Sequence, residues 1–281
     1  MTASYRKESP MKRISRILGA FLSFVLISAS TLPVFAQTAQ ITVINTANAS
    51  DGYFTVNYNE TTAKMKVGVT CNGSTVYYNY TPGTEASYTL AEGDGTYTIN
   101  LFRNVSGTSY VRVTSTTVAV EMEDAFAPYL ASTEEIKFSA YDSVGKRAAR
   151  ICTGLTSDSA KVVAIHNYIA ANFTYDYDFA AKVVSGEIKT YVPNTKSVLK
   201  AKKGVCYDFS ALFAAMCRSQ GIPTDIEKGY LYGGYHAWNK VYVNGTWKTI
   251  DTTASIAYKN TKATSISDCT FVLSSKNGYT R

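Results

Sequence analysis

Three short blocks in the C-terminal half of the chain carry a thiol, an imidazole and a carboxylate, in that order. Cys206 lies in Gly-Val-Cys-Tyr-Asp at 204–208, His236 in Tyr-His-Ala-Trp-Asn at 235–239, and Asp251 in Thr-Ile-Asp-Thr-Thr at 249–253. Covalent acyl transfer needs this set, because the thiolate attacks, the imidazole moves the proton and the carboxylate orients the imidazole. The blocks therefore indicate a cysteine enzyme with these three residues as the candidate catalytic group.

The candidate nucleophile stands where a helix is expected to begin. Apolar residues recur after Cys206 at helical spacing: Phe209, Leu212, Phe213 and Met216. Free backbone N–H groups and the helix dipole at that end favour the thiolate form of a cysteine. Gly204 allows close approach of the chain, and Asp208 is expected to stabilise the first helical turn.

The candidate base and carboxylate are predicted to lie on one β-hairpin. Asn244 and Gly245 form a strong turn signal between a strand that begins at His236 and a strand that ends at Asp251. A small offset or bulge in the ladder makes the two residues neighbours. The only other histidine, His166, lies on a distant predicted helix and is interpreted as an ordinary helix-surface or core residue.

Helical and strand patterns are mixed around these blocks. Ser157 is expected to cap a helix that runs to about Phe173, and a longer irregular stretch is expected to follow up to about Pro193. Strands are expected over 226–232, 236–243 and 247–251. An α+β fold is therefore predicted for residues 136–281.

The N-terminal half has a different composition. β-branched and aromatic runs separated by Gly-containing turn signals fill residues 38–121, which predicts a small all-β sandwich over 37–121. Residues 122–135, with Ala127-Pro128, are predicted to be a linker. The β region is interpreted as a spacer or support, with binding of wall polymer or partners as the alternative.

The first 36 residues are predicted to be a signal peptide. Lys12, Arg13 and Arg16 precede an apolar run, and Val34-Phe35-Ala36 fits a cleavage site; a retained membrane anchor is the alternative. Cleavage would lower the formal charge from +7 to +3, because the segment holds five basic residues and one acidic residue. We therefore expect no nucleic-acid partner and no stable membrane insertion after cleavage.

Five cysteines leave the disulfide question open. If Cys206 stays free, the other four can form two disulfides in three connectivities, or all five can be thiols. The spacings match no zinc pattern. We predict no metal site, and the candidate catalytic group requires no cofactor.

Together the three blocks resemble the transglutaminase-like superfamily of papain-related Cys-His-Asp enzymes. The resemblance covers about residues 135–260 and includes the segment Phe-Thr-Tyr-Asp at 173–176. It implies a domain in which the Cys-bearing helix packs on an antiparallel sheet. It also implies Cys206 as nucleophile, His236 as base and acid, and Asp251 as the residue that orients the imidazole.

The resemblance fixes the chemistry better than the substrate. We expect a secreted or cell-surface enzyme that cleaves an amide bond of a peptide, protein or peptidoglycan substrate through a thioester. A transglutaminase that transfers to an amine is one alternative, and a non-catalytic surface binding protein is another. The oligomeric state stays open.

Two further groups of residues are suggested to contact the substrate. Tyr235, Trp238 and Tyr232 are candidates for lining the cleft, with packing as the alternative. Papain-like enzymes often carry a side-chain oxyanion donor shortly before the nucleophile. Lys200 occupies that position here, so a tyrosine or asparagine within 191–194 is suggested instead.

Overall fold

A computed structural model describes residues 43–60, 62–231 and 233–271, together with the backbone of Tyr279–Thr280. The predicted signal peptide lies outside the described residues. Within the described part of the chain, no helix is both long enough and apolar enough to cross a membrane.

The N-terminal region is a β-sandwich, as predicted. Its seven strands are β1 (Ile44–Asn45), β2 (Tyr53–Val56), β3 (Met65–Cys71), β4 (Ser74–Tyr80), β5 (Ala86–Thr89), β6 (Gly95–Ser106) and β7 (Ser109–Val120). They form two antiparallel sheets in the orders β1-β2-β5 and β4-β3-β6-β7. Alternate residues of β3 are buried between the sheets, while Lys66 and Thr70 face outward. This period of two follows from the pleat, which directs successive side chains to opposite faces.

Residues 122–135 pack against both neighbouring regions. The Glu134 N–H donates to Ser87 O at 2.8 Å, and the Phe126 ring lies 4.5 Å from that of Tyr242. A short 3₁₀ helix occupies Ala127–Tyr129. The described residues belong to one compact unit, and the division into domains at 121 and 136 stays a prediction.

The C-terminal region has the predicted α+β architecture. Its helices are α1 (Ser143–Ile151), α2 (Asp158–Asn172), α3 (Tyr177–Val184), α4 (Thr195–Ala201), α5 (Cys206–Arg218), α6 (Thr252–Ala257) and α7 (Ile266–Cys269). Its strands are β8 (Thr174–Tyr175), β9 (Lys203–Gly204), β10 (Thr224–Leu231), β11 (Gly234–Val243), β12 (Thr246–Ile250) and β13 (Tyr279–Thr280). The last four form an antiparallel sheet in the order β12-β11-β10-β13, and β8 pairs with β9 in parallel.

Helix α5 is the central element of this region. Every residue from Asp208 to Arg218 is buried, because the helix packs on β11 and is covered by α1, α2 and α4. Phe209, Leu212 and Phe213 are fully buried. Each such side chain contributes about 1.5–3 kcal/mol on burial. The start of α5 is therefore held firmly relative to the sheet.

The stretch after α2 differs from the prediction. An irregular segment was expected up to Pro193, yet Tyr177–Val184 is helical. Asp176 starts this helix, since its carboxylate accepts the Phe179 N–H at 3.1 Å. A single aspartate followed by a short run is a weak sequence signal, and tertiary contacts outweigh propensity in helices of this length.

Candidate active site

Cys206 is the first residue of α5 and is partly exposed, whereas the other four cysteines are buried thiols. The Asp208 carboxylate accepts the Val205 N–H at 2.9 Å, which confirms its expected role in the first turn. Gly204 makes this possible, because a Cβ there would lie 2.8 Å from the Asp208 Cβ. The nucleophile candidate is thus held at a helix N-terminus, beside backbone N–H groups that have no partner within the helix.

The buried cysteines differ from Cys206 in their surroundings. Burial raises the pKa of the Cys269 thiol to about 12 and also raises the pKa values of Cys152 and Cys217. These three thiols stay protonated at neutral pH and are poor nucleophiles.

His236 and Asp251 are brought together by the predicted hairpin. A two-residue turn at Asn244-Gly245 has φ values of 53° and 76°, which glycine and asparagine tolerate best. Strands β11 and β12 then pair from Asn239 opposite Ile250 to the turn without a bulge. His236 Nε2 lies 2.7 Å from Asp251 Oδ2. The two residues are offset by two positions along the ladder, so their side chains meet diagonally.

The Asp251 carboxylate is fully buried and bonded on both oxygens. Oδ2 faces His236, while Oδ1 accepts the Ala254 N–H at 3.0 Å and so caps α6. A carboxylate fixed in this way holds the imidazole ring in one orientation and stabilises its protonated form.

The imidazole of His236 sits between the carboxylate and the thiol. Burial alone would lower its pKa, but hydrogen bonds to Asp251 and Cys206, with the negative charges of both groups, raise it to about 9. Because Nε2 faces Asp251, Nδ1 is the nitrogen left for the thiol. At neutral pH the ring is therefore protonated and placed to exchange a proton with sulfur.

Sequence reasoning missed a polar network behind the carboxylate. His166 is fully buried, as a core histidine would be, and its Nε2 lies 2.8 Å from Ser255 Oγ on α6. The Asn167 amide is fixed by both polar groups of Ala263, and its Oδ1 lies 3.1 Å from His166 Nδ1. That oxygen is an acceptor, so Nδ1 carries a proton.

Burial lowers the pKa of His166 and so favours its neutral ring. The one Ser255 hydroxyl proton lies between two acceptors, His166 Nε2 and Asp251 O. Ser255 lies one turn after Asp251, whose carbonyl oxygen is 3.0 Å from Ser255 Oγ. The network therefore ties α2 to the first turn of α6, where Asp251 is the capping residue. No local sequence pattern predicts the contact between His166 and Ser255, because the two residues are 89 positions apart in the chain.

A second cluster supports the residue after the nucleophile. The Glu135 carboxylate accepts hydrogen bonds from the Tyr207 hydroxyl and from Lys228 Nζ. Lys228 Nζ also lies 4.3 Å from the centre of the Tyr207 ring. Glu135 belongs to the segment expected to be a linker, so that segment helps to hold the start of α5.

The proposed substrate-contacting residues separate into three cases. Tyr235 is 67% exposed and packs edge-to-face on Tyr230 at 5.7 Å. Trp238 is fully buried, and its Nε1–H donates to Glu227 at 2.9 Å. The Trp238 ring packs inside the protein, 6.0 Å from the His236 ring, and its role as a substrate-binding residue stays a prediction. Tyr232 lies outside the described residues.

The suggested oxyanion donors have other partners. The Tyr191 hydroxyl donates to Asp208 Oδ1, and Asn194 Oδ1 accepts the Ser197 N–H at 3.0 Å to cap α4. Lys200 is exposed on α4. Tyr191 thus supports the carboxylate that closes the first turn of α5, and the identity of the second donor stays a prediction. Among the described residues, no group of three His, Cys, Asp or Glu side chains is arranged to hold a metal.

Comparison with known proteins finds a match to the same family that the blocks around Cys206, His236 and Asp251 resemble. The family model described as the transglutaminase-like superfamily matches residues 145–252. The chain is 31% identical to mouse (Mus musculus) kyphoscoliosis peptidase over 109 residues. That match covers 34% of this chain but only 16% of the mouse protein.

Two solved structures are also similar to part of this chain. A transglutaminase crystal structure shows 27% identity with a TM-score of 0.34, covering 39% of this chain and 30% of its own. The periplasmic domain of TgpA from Pseudomonas aeruginosa shows 13% identity with a TM-score of 0.36, covering 72% of this chain and 94% of its own. The family model spans all of α5 together with His236 and Asp251. Residues 145–252 of this chain, which carry all three candidate catalytic residues, thus match the transglutaminase-like superfamily.

Proposed function

We propose that this protein is an exported cysteine enzyme that cleaves an amide bond in a peptide, protein or cell-wall peptide. The proposal is supported chiefly by one arrangement. Cys206 is partly exposed at the start of α5, and His236 is hydrogen bonded to it while its Nε2 is fixed 2.7 Å from the buried Asp251 carboxylate.

The first half-reaction forms a thioester. The Cys206 sulfur bonds to the amide carbon, and the carbonyl electrons move to oxygen, where backbone N–H groups at the start of α5 stabilise the charge. The tetrahedral intermediate then breaks its C–N bond. The imidazolium of His236 gives its proton to the leaving amine, and Asp251 keeps the ring oriented.

The second half-reaction consumes the thioester. Neutral His236 takes a proton from water, the resulting hydroxide bonds to the acyl carbon, and the sulfur leaves as thiolate. A carboxylic acid is released and the imidazolium–thiolate pair is restored. An amine in place of water would give an amide, so the two outcomes differ only in the acceptor.

The substrate class is tested with a panel of peptides, folded proteins and peptidoglycan fragments, analysed by mass spectrometry. We expect new carboxyl termini, and we expect Cys206→Ala to abolish them. Cys152→Ala is the matched control, because Cys152 is the buried C-cap residue of α1 and lies outside the catalytic group.

The same experiment separates the alternatives. Adding a fluorescent amine and finding it joined to glutamine side chains, with no new termini, would favour transfer over hydrolysis. No product from any substrate with the wild-type protein, together with retained binding, would favour a non-catalytic binding protein. Export is tested separately: mass spectrometry of the extracellular protein should find Gln37 at its N-terminus.

A further inference from the structure

The outer face of the sheet β4-β3-β6-β7 carries a groove whose lining combines aromatic rings with lysines. We call it the lysine–aromatic groove. It is lined chiefly by Lys64, Lys66, Tyr77, Phe102, Tyr110 and Lys189, and it encloses about 560 Å³. Five of these residues belong to the β-sandwich and Lys189 belongs to the segment between α3 and α4, and none of the six belongs to the candidate active site.

The aromatic part of the groove is built around a glycine. A Cβ at Gly68 would lie 3.0 Å from the Phe102 ring and 3.1 Å from the Tyr77 ring. The bare backbone therefore lets both rings close over the strand, with their centres 6.2 Å apart. Tyr77 is nevertheless 59% exposed. The exposed Tyr77 ring, supported by the half-buried Phe102 ring at an interplanar angle of 53°, is a platform on which a flat apolar face can stack.

The charged part of the groove is cationic. Lys66 lies over the Tyr110 ring at 5.4 Å, while Lys64 and Lys189 are exposed. Within the described part of the chain, none of the three lysines forms an ion pair with a carboxylate. Their charges are therefore available to an acidic ligand, which the groove attracts by charge complementarity.

The location on a sheet face favours a carbohydrate over a peptide. An extended peptide usually joins the edge of a sheet, where main-chain hydrogen bonds provide affinity. The face of β3, β4 and β6 offers side chains only. A pyranose ring needs no main-chain partner, since its apolar C–H face can stack on the exposed Tyr77 ring while carboxylates of the polysaccharide can bind the lysines.

The groove also continues toward the catalytic region. A neighbouring cavity of about 600 Å³ shares Lys64, Asn79 and Thr190 with it and extends to Asn194. The same loop carries Tyr191, which donates to Asp208 at the start of α5.

We propose that the lysine–aromatic groove binds an acidic polysaccharide and that this site is independent of the proposed amide cleavage.

The proposal is tested by isothermal titration calorimetry of the full chain with an oligogalacturonate, a uronic-acid polymer. We expect binding that weakens as salt is raised, because lysine–carboxylate contacts are screened. Tyr77→Ala and Lys66→Gln are each expected to weaken binding about tenfold, in line with the loss of one stacking or charged contact. Tyr141→Ala and Lys146→Gln are matched exposed controls on the other region and should leave affinity unchanged.

Four other results would overturn the proposal. Equal binding of a neutral dextran would show that charge is irrelevant, and tighter binding of poly-L-glutamate would point to an acidic peptide. Undiminished affinity in both groove variants, or no binding at all, would remove the site. Circular dichroism of each variant shows that it is folded, and activity toward amides is measured separately because Cys206→Ala should not change polysaccharide binding.

Discussion

His236 Nε2 and Asp251 Oδ2 lie 2.7 Å apart across a hairpin whose turn is only two residues long. The carboxylate is fully buried and its other oxygen caps α6, so it has little freedom to move. The imidazole is thereby held with Nδ1 toward the start of α5. The proton transfer between His236 and Cys206 therefore depends on the position of Asp251.

The rate of the proposed reaction should depend on the protonation of His236. The pKa of His236 is raised from 6.5 to about 9, so the imidazolium is present at neutral pH and is lost as the pH rises through about 9. Because the imidazolium protonates the leaving amine, kcat/KM should fall above pH 9. A pH–rate profile with a basic limb near pH 7 would contradict this assignment.

Asp251→Asn should remove the negative charge beside the His236 imidazole and hold that ring less firmly. We expect a fall of up to about 10⁴-fold in kcat/KM, the loss in kcat that follows when the orienting aspartate of a serine-protease triad is replaced by asparagine. The basic limb should also move to lower pH, because Asp251 raises the pKa of His236. Asp178→Asn, an exposed carboxylate on α3, is the control. An unshifted basic limb in Asp251→Asn would show that Asp251 does not set that pKa.

Ser255→Ala should destabilise the fold through the buried network behind Asp251. The change leaves His166 Nε2 without the hydroxyl that lies 2.8 Å away, and a buried group that loses its partner costs about 1–3 kcal/mol. Urea denaturation measures the free energy of unfolding. Ser267→Ala on the exposed side of α7 is the matched control, and equal stability of the two variants would contradict the role of the network.

Trp238 and Tyr235 should differ in what they contribute. Trp238→Phe removes the hydrogen bond to Glu227 inside the protein, so it should lower the free energy of unfolding by about 1–3 kcal/mol and leave KM unchanged. Tyr235→Ala removes a ring that is 67% exposed and should raise KM without affecting stability. The opposite pattern in steady-state kinetics and denaturation would show that Trp238 contacts the substrate.

The local features of the site were predictable from sequence. Gly204 before Cys206 and the Asn244-Gly245 turn each act within a few residues, so the start of α5 and the hairpin follow from short-range rules. The offset of His236 and Asp251 also follows, because a two-residue turn fixes the register.

The supporting contacts were not predictable. His166 meets Ser255 across 89 residues, and Tyr207 meets Glu135 across 72. Such pairs depend on how α2, α6 and the segment before α1 pack, and no periodicity encodes that. The burial of Trp238 has the same origin, since an aromatic residue on a strand faces solvent or core according to the neighbouring elements.

The central claim is that Cys206 is an activated and accessible nucleophile. Iodoacetamide labelling at pH 7, followed over time by peptide mass spectrometry, tests it most directly because all five thiols report in one experiment. Cys206 should be alkylated about tenfold or more faster than the buried cysteines, and His236→Ala should slow it. Equal labelling of Cys206 and Cys152, or a rate at Cys206 that does not change in His236→Ala, would contradict the account.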